Sequence, residues 1–353
     1  MTWWIWVLIA LGFAVLLFVV SGVVAGHLAV HKIYGRRYNG NPNLKYFSAD
    51  DFPGLFTVPI SFVSGGTELH GYIYTYGARL SVARGTADRA GAPKGLVVFS
   101  HGFGAGHTSY TTEVAALARA GFAVLAFDNT GCMSSGGNSL LGFDRGVLDL
   151  LAAVSFAEND ERLNGLKIAL VGHSWGAFSV MNALPLAKNV RCAVAMCGFV
   201  CGADVLAQNV FGRFAPLRWL MSFAIRCKSR AVFGKAANFR SDRSLKGINR
   251  PVYLMYGKKD TIVRFRWNGK KMAKAMRGEP SVKVRLFENK GHNVYLTENA
   301  ENKMHAVFGA IAKTAKKDKA RAAAMYKEVD YPAITEEDGE VMESIVGFIE
   351  ENL

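Results

Sequence analysis

The chain of 353 residues contains few cysteines and no spacing that would pair them. Its five cysteines are an odd set without a CxxC motif, which excludes a disulfide framework and disfavours a metal cluster. Two of them, Cys192 and Cys197, lie in one apolar run, so we interpret them as buried thiols. Unpaired thiols favour a reducing compartment.

Charge is absent from the first long stretch of the sequence. Residues 3–26 contain no Asp, Glu, Lys or Arg. As a helix they would span roughly 36 Å, which exceeds the core of a bilayer at about 30 Å. Tryptophans at one end of the stretch are typical of a membrane–water interface. We therefore predict a transmembrane anchor over residues 3–26. The alternative is a cleaved signal peptide, which the missing basic n-region and the length of the run disfavour.

Basic residues are also absent before this stretch, whereas Lys32, Arg36, Arg37 and Lys45 follow it. The positive-inside rule then places the rest of the chain in the cytoplasm. We predict a single-pass membrane protein with a cytoplasmic body. Export of the body to the other side is the alternative.

Positive charge dominates the remainder. The formal net charge is +14, and half of the residues are apolar, which excludes a disordered chain. Residues 201–250 hold ten Lys and Arg against two Asp, interleaved with aromatic and aliphatic residues. Such an excess suits an anionic partner. Because no recognised nucleic-acid-binding motif accompanies the charge, we expect contact with anionic lipid rather than nucleic acid.

Strand-like and helix-like patterns alternate after a predicted linker over residues 27–55. The predicted domain, residues 56–353, begins with a hairpin, and a small polar loop over 81–95 follows. Continuous apolar runs then alternate with helical segments, which predicts an α/β fold with a mostly parallel sheet and helices on both faces. Two basic segments interrupt the alternation, residues 201–250 and residues 300–335. We predict that the second segment is helical.

The pentapeptide GHSWG fits the motif G-x-S-x-G, with an apolar strand pattern before it and a helical pattern after it. A serine at the tip of such a tight turn has a strained backbone, and the residues two before and two after it crowd each other. Small residues are needed there, and Gly172 and Gly176 supply them. The following helix N-terminus favours negative charge. Ser174 is therefore the candidate nucleophile.

A serine nucleophile needs a base, and the base needs an acid that orients it. His292 follows the last predicted strand, and Asp260 follows the strand before it. Both can meet Ser174 at the carboxyl edge of a parallel sheet, where open α/β sheets bind ligands. Asp260 could instead only cap the helix that follows it. Asp204, after the sixth strand, is the alternative acid.

The stretch SHGFGAG, residues 100–106, also follows a predicted strand. It would place the backbone N–H of Phe103 opposite that of Trp175, giving two donors for an oxyanion. The stretch is not a dinucleotide fingerprint, because GFGAGH lacks the sixth small residue and no acid follows at the required distance. We predict no metal and no organic cofactor.

Five short stretches together resemble the α/β-hydrolase superfamily, especially its serine aminopeptidase/lysophospholipase-like branch: HGFG, FDNTG, GHSWG, YGKKD and KGHN. The chain order Ser174, Asp260, His292 is that of the superfamily's triad. The resemblance implies an α/β-hydrolase fold in which an insertion after the sixth strand, here 201–250, forms a helical lid. The branch usually has Arg and Gly where this chain has Thr130 and Met133.

Together these features predict a membrane-anchored serine hydrolase. The anchor, the apolar lid and the basic charge favour acyl esters such as lysophospholipids or acylglycerols as substrates. A peptidase that removes N-terminal residues is the alternative enzyme. A membrane-tethered scaffold without activity is the alternative of another class, which the presence of a residue for every triad role disfavours.

Overall fold

The computed structural model describes residues 3–78, 80 and 92–353. Within these residues the chain forms an eight-stranded sheet with the strand order β1-β2-β4-β3-β5-β6-β7-β8. The strands are β1 Leu55–Ser64, β2 Thr67–Tyr76, β3 Leu96–Ser100, β4 Ala123–Phe127, β5 Ile168–His173, β6 Val190–Met196, β7 Val252–Gly257 and β8 Val282–Phe287. β1 and β2 form the predicted antiparallel hairpin. The neighbouring pairs β4–β3, β3–β5, β5–β6, β6–β7 and β7–β8 are parallel. Of the predicted loop over 81–95, residues 81–91 lie outside the described residues.

Helices cover both faces of this sheet. They are α1 Trp3–Tyr34, α2 Thr111–Arg119, α3 Asp144–Asn159, α4 Trp175–Ala183, α5 Gly202–Phe211, α6 Ala215–Phe233, α7 Ser241–Ser244, α8 Gly269–Ala275, α9 Glu298–Ala315, α10 Lys319–Lys327, α11 Tyr331–Ile334 and α12 Gly339–Asn352. In β3, Leu96 and Val98 pack into the core beneath α3 and α4, whereas Val97 and Phe99 pack into the core beneath α2 and α12. Both faces of the strand are buried, which explains its continuous apolar run. The predicted fold class is confirmed.

The N-terminal helix α1 is longer than the predicted anchor. It continues past Gly26 to Tyr34, so residues 27–34 of the predicted linker are helical. The extra turns are stabilised by burial, because Val30 and Tyr34 are only 2% and 5% exposed. Of the described residues, those of α1 form one helix long and apolar enough to cross a membrane.

The chain that follows α1 is also held to the domain. The backbone of Tyr38 donates to Gly131 (2.9 Å) and accepts from Met133 (2.8 Å). The Arg37 guanidinium donates to the carbonyl oxygens of Met133 and Ser135, at 2.8 Å each. Arg37 and Tyr38 are therefore bound to the domain, where the sequence predicted a linker.

The two basic segments are helical. Residues 201–250, here called the cap, lie between β6 and β7 and contain α5, α6 and α7. That the cap acts as a lid stays a prediction. The second segment is not one continuous helix, because α9 ends at Ala315 and α10 begins at Lys319. The Asp318 carboxylate accepts a hydrogen bond from the Arg321 amide, which is the N-cap that starts a new helix.

Candidate active site

Ser174 stands between β5 and α4 in a strained backbone conformation. Its φ of +57° and ψ of −112° lie in a region that side-chain-bearing residues rarely adopt. A Cβ added at Gly172 would lie 2.5 Å from the Gly176 carbonyl, and one added at Gly176 would strike the carbonyl oxygen of Ser100. The crowding predicted from the two glycines is therefore present, and it forces Ser174 to the tip of the turn.

His292 and Asp260 meet at the same edge of the sheet. Each lies in the loop after a strand, His292 after β8 and Asp260 after β7, and His292 Nδ1 is 2.7 Å from Asp260 Oδ2. Both residues are buried, at 7% and 6% exposure. Asp260 Oδ1 also accepts from the backbone amides of Ile262 (2.9 Å) and Val263 (2.8 Å). Asp260 thus both caps the following turn and orients the histidine.

The charge of Asp260 follows from its surroundings. Burial by itself raises the pKa of Asp260, but the hydrogen bond and charge of His292 and the two amides outweigh it, so the pKa lies below its ordinary value. Asp260 is therefore a carboxylate that accepts the Nδ1–H of His292. Among the described residues Nε2 of His292 has no hydrogen-bond partner, so it is the ring nitrogen that is open to a substrate.

The residue before the serine connects Ser174 with the His292 loop. His173 Nε2 lies 3.0 Å from the His292 carbonyl oxygen, and the two imidazole rings are 4.6 Å apart. Burial lowers the pKa of His173 to about 3, so its ring is neutral, with Nε2–H as the donor to that carbonyl. Among the described residues no hydrogen bond joins Ser174 Oγ to the His292 ring; such contacts often form only when substrate is bound.

A relay of hydrogen bonds continues from His173 to the candidate oxyanion loop. His173 Nδ1 accepts from the Tyr110 hydroxyl (2.9 Å), and that oxygen accepts from the Gly102 amide (3.1 Å). A Cβ added at Gly102 would lie 3.5 Å from the Cβ of Ser174, which places the loop beside the serine. Tyr110 and His173 thus join both sides of the site, a role the sequence analysis missed.

Phe103 lies in that loop, and its ring packs edge-on against Tyr38, Phe143 and Trp175, with centroids 4.9, 5.5 and 6.3 Å away. The preceding His101 is fully buried and holds the loop in place. Its Nε2 accepts from the Asn129 amide (3.0 Å), so its Nδ1–H donates to the Gly102 carbonyl (2.8 Å). Burial lowers the pKa of His101, which keeps the ring neutral.

The alternative acid, Asp204, is engaged elsewhere. It lies in α5, where its carboxylate accepts from Ser222 (2.5 Å) and pairs with Arg226 (2.9 Å) on α6. The structure pairs His292 with Asp260 instead. Asp204 therefore belongs to the cap, and it is not the acid beside His292.

Glu301 is a further residue that the sequence analysis missed. It is 5% exposed, in the first turn of α9, and its carboxylate accepts from the amides of Gly291 and Asn293, at 2.9 Å each. These two amides flank His292. Glu301 therefore clamps the histidine loop. The sequence signal for this residue is weak: Glu301 lies in the first helical turn after Thr297, the N-cap residue of α9.

Cys197, Asp260 and His292 place one potential metal-ligand atom each within 4.8 Å of one another. Metal ligands must be deprotonated, but burial, followed by the charge of Asp260, holds the pKa of Cys197 well above its usual value. Nδ1 of His292 is already engaged by Asp260. The donor set therefore fits a hydrogen-bonded histidine–carboxylate pair better than a metal centre.

Comparisons with known proteins agree with this architecture. The family model described as "Alpha/beta hydrolase family" matches residues 97–302, which include Ser174, Asp260 and His292. No curated protein matches the chain by sequence.

Several solved structures share the fold. The Pyrococcus furiosus esterase Pf2001 is 20% identical with a TM-score of 0.54, over 82% of this chain and 98% of its own. The Pyrococcus horikoshii acylaminoacyl peptidase is 13% identical with a TM-score of 0.54, over 86% of this chain and 43% of its own. An acetyl xylan esterase from Paenibacillus sp. R4 is 18% identical with a TM-score of 0.50, over 76% of this chain and 87% of its own. At these identities the likeness shows the fold alone.

Proposed function

The chain belongs to the alpha/beta hydrolase family, and on that premise we propose that it is a serine hydrolase that cleaves carboxylic esters through Ser174, His292 and Asp260. The observation that carries the proposal is the 2.7 Å contact between His292 Nδ1 and Asp260 Oδ2 at the sheet edge where Ser174 occupies its strained turn. A buried carboxylate behind a histidine, at the sheet edge that also carries a serine on a strained turn, is what nucleophilic acyl transfer requires.

The chemistry follows from these positions. His292 Nε2 takes the proton of Ser174 Oγ as the oxygen attacks the ester carbonyl carbon. The backbone N–H groups of Phe103 and Trp175 stabilise the negative oxygen that forms. His292 then gives the proton to the departing alkoxide, and an acyl-serine remains. Water, deprotonated by His292 Nε2, attacks the acyl carbon, and the bond between that carbon and Ser174 Oγ breaks as His292 returns the proton to Oγ. This releases the acid and restores Ser174, while Asp260 keeps Nδ1 protonated throughout.

The surroundings of the site favour an ester with an apolar acyl group. Phe103 and Trp175, the two proposed oxyanion residues, belong to a cluster of aromatic rings that also includes Phe143, Phe199 and Tyr34. Most of these rings are buried, but that of Phe103 is 37% exposed, so the surface beside the proposed oxyanion donors is apolar, which suits a hydrocarbon chain better than a polar one. Lipid esters such as lysophospholipids or acylglycerols are the proposed substrates.

Membrane anchoring by α1 is part of the proposal, and the packing of the helix supports its retention. A Cβ at Gly26 would lie 3.6 Å from Ala224 and Met221 of α6, and Gly22 lies against Leu220. Cleavage near Ala25 would remove Gly22 and with it the cover of Leu220. We propose that α1 is a permanent anchor and that the domain lies in the cytoplasm, where the basic residues after α1 would also place it.

Aryl esters of rising acyl-chain length, compared with an aminoacyl anilide, test the substrate class. The full chain in neutral detergent is required, because deletion of residues 1–26 would remove packing against α6. We expect turnover of esters that rises with chain length and is absent in Ser174→Ala. Cleavage of the anilide alone would favour the peptidase. A folded wild type that cleaves neither substrate would favour the scaffold.

The clamp on the histidine loop gives a further prediction. In Glu301→Gln an amide NH2 would face one of the two backbone donors, leaving a buried N–H without an acceptor. We expect kcat/KM for an ester to fall about tenfold, since an unsatisfied buried donor costs about 1–3 kcal/mol. Glu298→Gln, an exposed residue of the same helix turn, is the control. Equal rates in both variants would mean that Glu301 does not position His292.

A further inference from the structure

A cleft of about 600 Å³ opens on the outer side of the cap. One wall is α6, which contributes Arg218, Trp219, Phe223 and Arg226, and the facing wall contains Trp267 and Lys271. Neither wall contains a residue of the proposed triad. Trp267 also lines a neighbouring cavity that contains Asp260, so the cleft lies beside the site described above and shares only this side chain with that cavity.

Positive charge is in excess in this cleft. Its carboxylate, Asp204, is already paired with Arg226 (2.9 Å) and lies 3.8 Å from Arg240. Arg240 also pairs with Asp242 (2.7 Å). Within the described part of the chain, Arg218 and Lys271 take part in no ion pair. The cleft thus holds two cations that lack a counter-charge from the protein, which favours an anionic ligand.

Arg218 is held in place without being neutralised. Its guanidinium stacks over the Trp267 ring, 5.0 Å from the centroid, and donates to the Gly212 carbonyl (3.1 Å). Arg264 lies on the same ring at 5.1 Å. Stacking on an aromatic ring fixes the plane of a guanidinium and leaves donors free for a second partner. A phosphate group, with several acceptor oxygens, matches such a fork.

The rim of the cleft is apolar and unusually exposed. Trp219 and Phe223 stack on each other at 6.0 Å, yet their exposed fractions are 71% and 54%. Large exposed aromatic side chains beside cations are typical of the membrane–water interface. The opposite side of α6 packs against Gly22 and Gly26, at the end of the uncharged stretch of α1. The rim therefore lies at the depth where the proposed anchor leaves the hydrocarbon core.

We propose that this cleft binds the phosphate group of an anionic membrane lipid. Arg218 and Lys271 contact the phosphate, and Trp219 and Phe223 enter the interfacial region beside it. The proposal rests on membrane anchoring by α1, as argued above, but not on hydrolase activity. It assigns the cap a lipid-binding site that is distinct from the catalytic centre.

Thermal unfolding of the full chain in neutral detergent tests the site, because a ligand that binds the folded state raises Tm. Ether-linked phosphatidylglycerol is the probe, since it lacks a carboxylic ester and cannot be turned over. We expect it to raise Tm by several degrees. Ether-linked phosphatidylcholine and inorganic phosphate at equal concentration should give much smaller shifts. A shift from inorganic phosphate that matches the lipid would overturn the lipid assignment in favour of a soluble anion.

The variant Arg218→Gln/Lys271→Gln should need at least about tenfold more phosphatidylglycerol for half of the shift, because two charge-assisted contacts are lost. The single variant Lys271→Gln should need about threefold more phosphatidylglycerol for half of the shift. Because Lys271 is exposed, this variant should fold even if the double variant does not. Lys303→Gln/Lys313→Gln, with the same charge change on α9, should behave as wild type. Equal lipid responses in all of these proteins would overturn the site.

The lipid response and the hydrolase activity can fail separately. Ser174→Ala should show the full phosphatidylglycerol shift, because the serine lies outside the cleft. An inactive protein with this shift would contradict only the proposed hydrolase function. An active protein whose Tm is insensitive to phosphatidylglycerol would contradict only the lipid site.

Discussion

Replacement of His292 by alanine is expected to lower the kcat for ester hydrolysis by about a millionfold, to the level left by substrate binding and the oxyanion donors. The reason is that His292 Nε2 is the base left free by the contact of Nδ1 with Asp260. Without the imidazole, the Ser174 hydroxyl has no group to take its proton, and the alkoxide leaving group has no acid. Ester turnover with saturating substrate measures this effect directly.

An exposed histidine of α9 provides the matched control. His305→Ala removes an exposed histidine of α9 and should leave kcat unchanged. Circular dichroism of both variants should match the wild type, because neither side chain forms part of the two large apolar cores. A His292→Ala protein that retains more than about one hundredth of the wild-type kcat would contradict the assigned base.

Asp260→Asn is expected to lower kcat by about ten-thousandfold. The asparagine keeps the size of the side chain, and its carbonyl oxygen can still accept from the amides of Ile262 and Val263. Its amide group, however, donates toward His292 Nδ1 and favours the tautomer with the proton on Nε2. That tautomer cannot act as the base. The variant should therefore be folded, bind substrate normally and fail in the chemical step.

Asp204→Asn is the control for this substitution, because the sequence left Asp204 as an alternative acid. The structure pairs Asp204 with Arg226 in the cap, so this change should alter kcat less than about threefold. Equal losses in the two variants, or a larger loss in Asp204→Asn, would show that the acid had been assigned wrongly. Comparison of kcat with KM separates a chemical defect from a binding defect.

Much of the fold could be predicted because the central strands, β3 to β7, are buried on both faces and form nearly continuous apolar runs in the sequence. The residues after those runs converge on one edge of a parallel sheet, so the contact of Asp260 with His292 at that edge could be predicted from the sequence. The crowding between the two glycines that flank Ser174 depends only on residues close in sequence, so it could also be predicted. The positions of residues that follow buried strands are therefore accessible from the sequence.

Contacts between distant parts of the chain were not accessible in this way. The hold of Glu301 on the His292 loop and the relay through Tyr110 and His173 depend on side-chain positions that no periodicity encodes. The extension of α1 to Tyr34 could not be predicted either, because the last turns of the helix are stabilised by tertiary contact rather than by their own apolar pattern. The break at Asp318 was a local capping signal that the long basic run obscured.

Reaction with a fluorophosphonate tests the central claim, that Ser174 is an activated nucleophile, most directly. The full chain in neutral detergent would be treated with the probe, and the modified residue would be located by peptide mass spectrometry, with Ser174→Ala alongside. We expect one phosphonylated residue, Ser174, and no labelling of Ser174→Ala. A folded wild type that remains unlabelled, or equal labelling of both proteins at another serine, would contradict a nucleophilic role for Ser174.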